Sequence, residues 1–89
     1  MYSVTKTVEG TDGRGGVWTV FDPDGGTDVL AEVDISYNRD GSRNFRFTRN
    51  GTVRDGTVPM GDDRSDDELA CDVVFTNGSA VVPSFRPAR

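Results

Sequence analysis

Apolar positions along the chain fall in short alternating or clustered runs, and glycine-bearing stretches separate them: TDGRGG, DPDGG, NRDGS, RNGT, RDGT and TNGS. Alternation broken by such turns predicts an antiparallel meander, and no segment keeps the 3.6-residue period of a long helix. The expected fold is a small all-β domain of about five to seven antiparallel strands, built as a barrel or a two-layer sandwich. A chain of 89 residues is expected to form one domain, 1–89.

Register can be read at the central hairpin. A three-residue loop, Arg39-Asp40-Gly41 with Gly41 in the left-handed conformation, pairs Ile35 with Phe45, Val33 with Phe47 and Asp34 with Arg46. A two-residue loop would break up the apolar face, so the longer loop is predicted. The same test applied to RNG at 49–51 pairs Phe47 with Val53 and sets Arg46 beside Arg54, with Asp34 in the same row.

At the N-terminal side, Tyr2, Val4 and Val8 are expected to share a face, and Lys6 to snorkel out or lie past a sheet edge. Trp18 and Val20 share one face of the next strand, with Trp18 as a core anchor, and Val17 and Phe21 share the other. The stretch CDVVFTNGSAVVPSF reads as two strands around Asn77-Gly78, with Pro83 ending the second or lying on its exposed side. Cys71 then alternates with Val73 and Phe75 as a small buried hydrophobe. Just before it, Ser65 and Glu68 stand at capping-box spacing, which predicts a short helix near 65–71.

Composition removes several chemistries. There is no histidine, the usual general base near neutral pH, and a lone cysteine, Cys71, forms neither an intrachain disulfide nor a cysteine-based zinc cluster. No run approaches the length of a membrane span and the N-terminus lacks a signal-like pattern, so a cytoplasmic protein without membrane contact is expected. The asparagines of the Asn50 and Asn77 sequons read as turn residues. A meander this small leaves little room for a substrate cleft, so neither an enzyme nor a cofactor is expected.

The formal charge of −5 is distributed in blocks. Residues 39–54 hold five arginines against Asp40, whereas residues 61–72 hold six carboxylates against Arg64. The acidic block supplies the candidate partner-binding residues Asp62, Asp63, Asp66, Asp67 and Glu68. On a helix, carboxylates four residues apart lie about 6 Å apart along one face, and such a row imitates phosphates in an arginine-lined groove. The plainer reading is a solvated helix start that keeps the chain soluble.

Three other constellations carry weaker signals. Asp22, Asp24 and Asp28 offer hard oxygen ligands for calcium but lack EF-hand spacing, and a turn with Pro23 explains the same letters. Asn38, Asp40 and Gly41 resemble part of a calcium loop, yet Phe47 stands where a closing glutamate would fall. The five arginines with Phe45 and Phe47 resemble a base-stacking platform, but the register above turns both rings inward, so direct nucleic-acid binding is not expected. The favoured function is a non-enzymatic protein-binding inhibitor that occludes a cationic, nucleic-acid-binding surface, the strategy of phage-encoded inhibitors. A virion or tail assembly module that self-associates, and a calcium- or glycan-binding module using Trp18 or the aspartate loop, are the alternatives.

Overall fold

The computed structural model describes residues 3–21 and 29–78. Five strands form one open antiparallel sheet in sequence order: β1 (Ser3–Glu9), β2 (Gly16–Phe21), β3 (Val29–Tyr37), β4 (Arg43–Arg49) and β5 (Thr52–Val58). A short 3-10 turn, Thr11–Gly13, lies between β1 and β2, and a single helix, α1 (Asp66–Phe75), follows β5. The expected all-β class is observed, and α1 supplies the second layer.

Period-two alternation decides which face α1 covers. In β3, Ala31, Val33 and Ile35 are buried while Glu32, Asp34 and Ser36 are exposed. With Trp18, Val20, Phe45, Phe47 and Val58 they form the sheet side of a core closed by Leu69, Ala70 and Val73 of α1. The other face carries mostly polar side chains, the usual division for a one-sided antiparallel sheet.

The β3–β4 hairpin has the predicted register, Ile35 opposite Phe45, Val33 opposite Phe47 and Asp34 opposite Arg46. Its loop closes through Asn38 N–H to the Ser42 carbonyl at 2.8 Å, with Gly41 at φ 90°. Asp40 accepts from the Ser42 hydroxyl and amide at 2.6 and 2.8 Å, and these bonds hold its carboxyl below the ordinary range.

The β4–β5 hairpin corrects the expectation. Asn50 and Gly51 form a two-residue turn with φ 50° and 78°, so Phe47 faces Arg54, Thr48 faces Val53, and Arg46 faces Asp55. Two consecutive positive φ values match the twist of paired strands, which outweighs one apolar pair. This register also sets the Phe45 ring over Gly56, where a Cβ would collide with it.

A bulge between Lys6 and Val8 changes the reading of β1. Val4 packs against the core, but beyond the bulge Val8 is exposed. Lys6 faces inward and lays its ammonium 5.1 Å from the Trp18 ring centre, with Glu9 3.0 Å away. Tyr2 lies outside the described residues, as do the Asp22, Asp24 and Asp28 loop and the second of the expected C-terminal strands.

The largest correction concerns Cys71–Phe75, expected as strand and observed as the second half of α1. Both halves of the capping box form, Ser65 Oγ accepting from the Glu68 amide and Glu68 accepting from the Ser65 amide, each at 3.1 Å. Asp66, Leu69, Ala70 and Val73 then lie at i, i+3, i+4 and i+7, so continuing the helix buries Val73. The run ends when Gly78 N–H reaches the Val73 carbonyl and Asn77 N–H the Val74 carbonyl, with Asn77 at φ 56°. That is a Schellman cap, so the Asn77-Gly78 step closes a helix where a hairpin was expected. Cys71 is exposed, contrary to the buried role expected of it, and partial desolvation followed by Asp67 and Asp72 raises its thiol above the ordinary value.

Candidate functional site

Arg43 begins β4 on the core side, with its side chain 6% exposed. It reaches from the sheet toward the segment leading into α1. Its Nη1 donates to the Arg64 carbonyl at 2.8 Å and to Asp66 Oδ1 at 3.0 Å, and its Nη2 lies 3.5 Å from Asp62 Oδ1. Arg64 grips Asp62 side-on, through Nε at 2.9 Å and Nη2 at 2.6 Å, and sends Nη1 to Asp72 at 2.9 Å. The Asp62 hydrogen bonds hold the Arg64 guanidinium well above its ordinary value despite burial. Asp62 itself has a fully buried side chain.

Asp66 completes the network. Its carboxylate accepts from the Gly15 amide at 3.0 Å, the Tyr37 hydroxyl at 2.8 Å and Arg43. Burial by itself would raise this carboxyl, but those donors together hold it below the ordinary range. Tyr37 is raised in turn, by burial first and then by its bond to Asp66. The next residue, Asp67, accepts the Trp18 indole N–H at 2.7 Å. Side chains from β2, β3 and β4 and the backbone amide just before β2 therefore converge on the first turn of α1.

The five nominated carboxylates thus divide. Asp62 and Asp66 point into the molecule and join α1 to the sheet. Asp63, Asp67 and Glu68 are exposed, Asp67 while bonded to Trp18 and Glu68 while capping the helix. Sequence reasoning missed two neighbours, because it read their segment as a strand. Asp72 is half-exposed, and Phe75 is 90% exposed. At helical spacing Glu68, Asp72 and Phe75 form one outward stripe, i, i+4 and i+7.

The arginines divide as well. Arg46 stands on the polar face of the sheet between Asp34 and Asp55, donating to Asp55 at 2.8 Å. That face holds an open cleft of about 630 Å³ lined by residues that include Asp34, Asn44, Arg46 and Asp55. Arg49 and Arg54 lie at the opposite end of the helix-bearing face from Arg43. Among the described residues, no group of three or more aspartate, glutamate or cysteine side chains is placed to share a metal ion, and no helix is long and apolar enough to cross a membrane. Comparison with protein-family models, with curated proteins and with solved structures found no match to this chain.

Proposed function

We propose that the protein is a small, non-enzymatic binding module that covers a cationic, nucleic-acid-binding surface of a larger protein partner, in the manner of phage-encoded inhibitors, and that it works in the cytoplasm. The observation that carries this reading is the outward stripe of α1, where Phe75, 90% exposed, continues the line of Glu68 and Asp72. An aromatic anchor beside carboxylates is the composition of an interface hot spot facing arginines. Asp63 and Asp67 extend the acidic surface at the other end of the stripe. The inward carboxylates serve this surface indirectly, by fixing α1 to the sheet.

The test is capture from a bacterial lysate by wild type and by the variant Asp63→Asn, Glu68→Gln, Phe75→Ser, at low and near-physiological salt. Glu68→Gln keeps a cap acceptor, so the helix start is retained. The expected result is a nucleic-acid-binding protein held by wild type, released by added duplex DNA and bound at least about tenfold more weakly by the variant. Equal capture by both proteins overturns the reading.

A second reading, an assembly module, is favoured by the β5 edge. β5 pairs with β4 without a register shift, Val53 on it is 52% exposed, and among the described residues no strand pairs with its other side. β1, at the other edge, is broken by a bulge and turns Lys6 inward, both common guards against edge pairing. Self-association that survives the Phe75→Ser variant would move the assembly reading to first place. A glycan-binding role for Trp18 has less support, since its ring is 2% exposed.

A further inference from the structure

At the end of the helix-bearing face where α1 stops, a crevice of about 290 Å³ opens between the β4–β5 turn and the helix cap. It is lined by Phe47, Arg49, Asn50, Thr52, Arg54 and Asn77. Arg49 pairs with Thr52 and Phe47 with Arg54, so the two arginines are diagonal neighbours on one face, within reach of a common point above the sheet. Arg49 Nη1 leans toward Asn77 Oδ1 at 3.4 Å, and Gly78, wedged between the Phe47 ring and the Arg54 stem, keeps the cap close.

The donor set differs from the rest of this acidic chain. Two guanidiniums, two carboxamides and a hydroxyl line the crevice, and no carboxylate does. Among the described residues neither Arg49 nor Arg54 is ion-paired, whereas Arg43, Arg46 and Arg64 all are. The crevice also lies at the end of α1 remote from Asp62 and Asp66, and Asp72, which is nearer along the helix, is paired with Arg64. Arginine forks match the oxygens of a tetrahedral anion through paired hydrogen bonds. Phe47 is only 2% exposed and offers no surface on which a base would stack.

We infer that this crevice is a binding site for a single phosphate monoester group, held by Arg49 and Arg54 with Asn50, Thr52 and Asn77 as supporting donors. The site is independent of the acidic stripe and of the function proposed for it.

The experiment is an amide-resolved NMR titration of the full chain with inorganic phosphate and with O-phosphoserine, against sodium chloride at matched ionic strength. Saturable shifts at Asn50, Gly51, Thr52 and Asn77 with roughly millimolar half-saturation are expected. Arg54→Gln and Arg49→Gln should each weaken binding about tenfold, the worth of one charge-assisted bond, with the rest of the spectrum unchanged. Arg54→Lys should restore binding only in part, because a point charge lacks the fork. Equal affinity for both probes confines recognition to the phosphate group, and tighter O-phosphoserine extends it to the group that carries it. Drift indistinguishable from the chloride control, or saturation untouched by both glutamine variants, overturns the proposal. Saturation by a single-stranded oligonucleotide alone also overturns it, in favour of a nucleic-acid surface.

Discussion

Two arginine–aspartate contacts in this protein are alike in chemistry and length and unlike in surroundings. Arg64 meets Asp62 at 2.6 Å with side chains 4% and 0% exposed; Arg46 meets Asp55 at 2.8 Å with side chains 65% and 60% exposed. The second pair is surrounded by water, which screens its attraction and readily solvates either ion left alone. The first has no such recourse. Asp62 is bonded along one oxygen edge by Arg64 and approached by Arg43 on the other side, so each ion there depends on the others for solvation. Distance describes both contacts equally well, and burial decides which one the fold depends on.

The largest effect that would sharpen this contrast is expected at Asp62. Asp62→Asn leaves two buried guanidiniums short of a counter-charge and should cost about 3–5 kcal/mol, read as a fall in the denaturation midpoint with unchanged slope. A loss below about 1 kcal/mol would place the pair in the same class as the exposed one.

Asp66→Asn comes next, at about 2–3 kcal/mol, because Gly15, Tyr37 and Arg43 lose a charged acceptor but keep a neutral one. This loss should also depend on pH. The folded-state carboxyl is held below its ordinary value, so its contribution is complete well above about pH 3.9 and is lost as pH falls through the lower folded value. Stability curves of wild type and variant should therefore run parallel near neutral pH and converge in acid. Parallel curves down to the acid limit would show that Asp66 carries no linked proton.

The smallest effect is expected at Asp55. Asp55→Asn should change stability by no more than about 0.5 kcal/mol, and moderate salt should erase even that difference. The Arg46 guanidinium, raised by its hydrogen bond to Asp55 and further by Asp34, would retain Asp34 as a neighbour in the same cross-strand row.

Legibility in the sequence followed the range of the interaction. The β3–β4 register could be read because one loop glycine, one apolar pair set and one charge pair, Asp34 with Arg46, all selected the same alignment. At β4–β5 the criteria disagreed, and apolar matching of Phe47 with Val53 gave way to turn geometry at Asn50-Gly51. The capping box marked where α1 starts, since it is written in two residues three apart. Its end was harder: Val73-Val74-Phe75 favours strand locally, and only burial of Val73 against the sheet extends the helix over it. The inward turn of Asp66 had no local signal, because its partners Arg43, Tyr37 and Gly15 lie 23 to 51 residues away in the chain, and Asp62, though gripped by Arg64 two residues on, is turned toward an Arg43 that lies 19 residues back.

The indole of Trp18 belongs to the only tryptophan in the chain, is sealed beneath α1, and donates its N–H to a carboxylate on that helix. Its emission is consequently a built-in optical gauge of the helix–sheet joint: peeling α1 away wets the ring and removes its acceptor at once. Stopped-flow fluorescence on the unlabelled protein can therefore time helix docking directly, without an introduced probe.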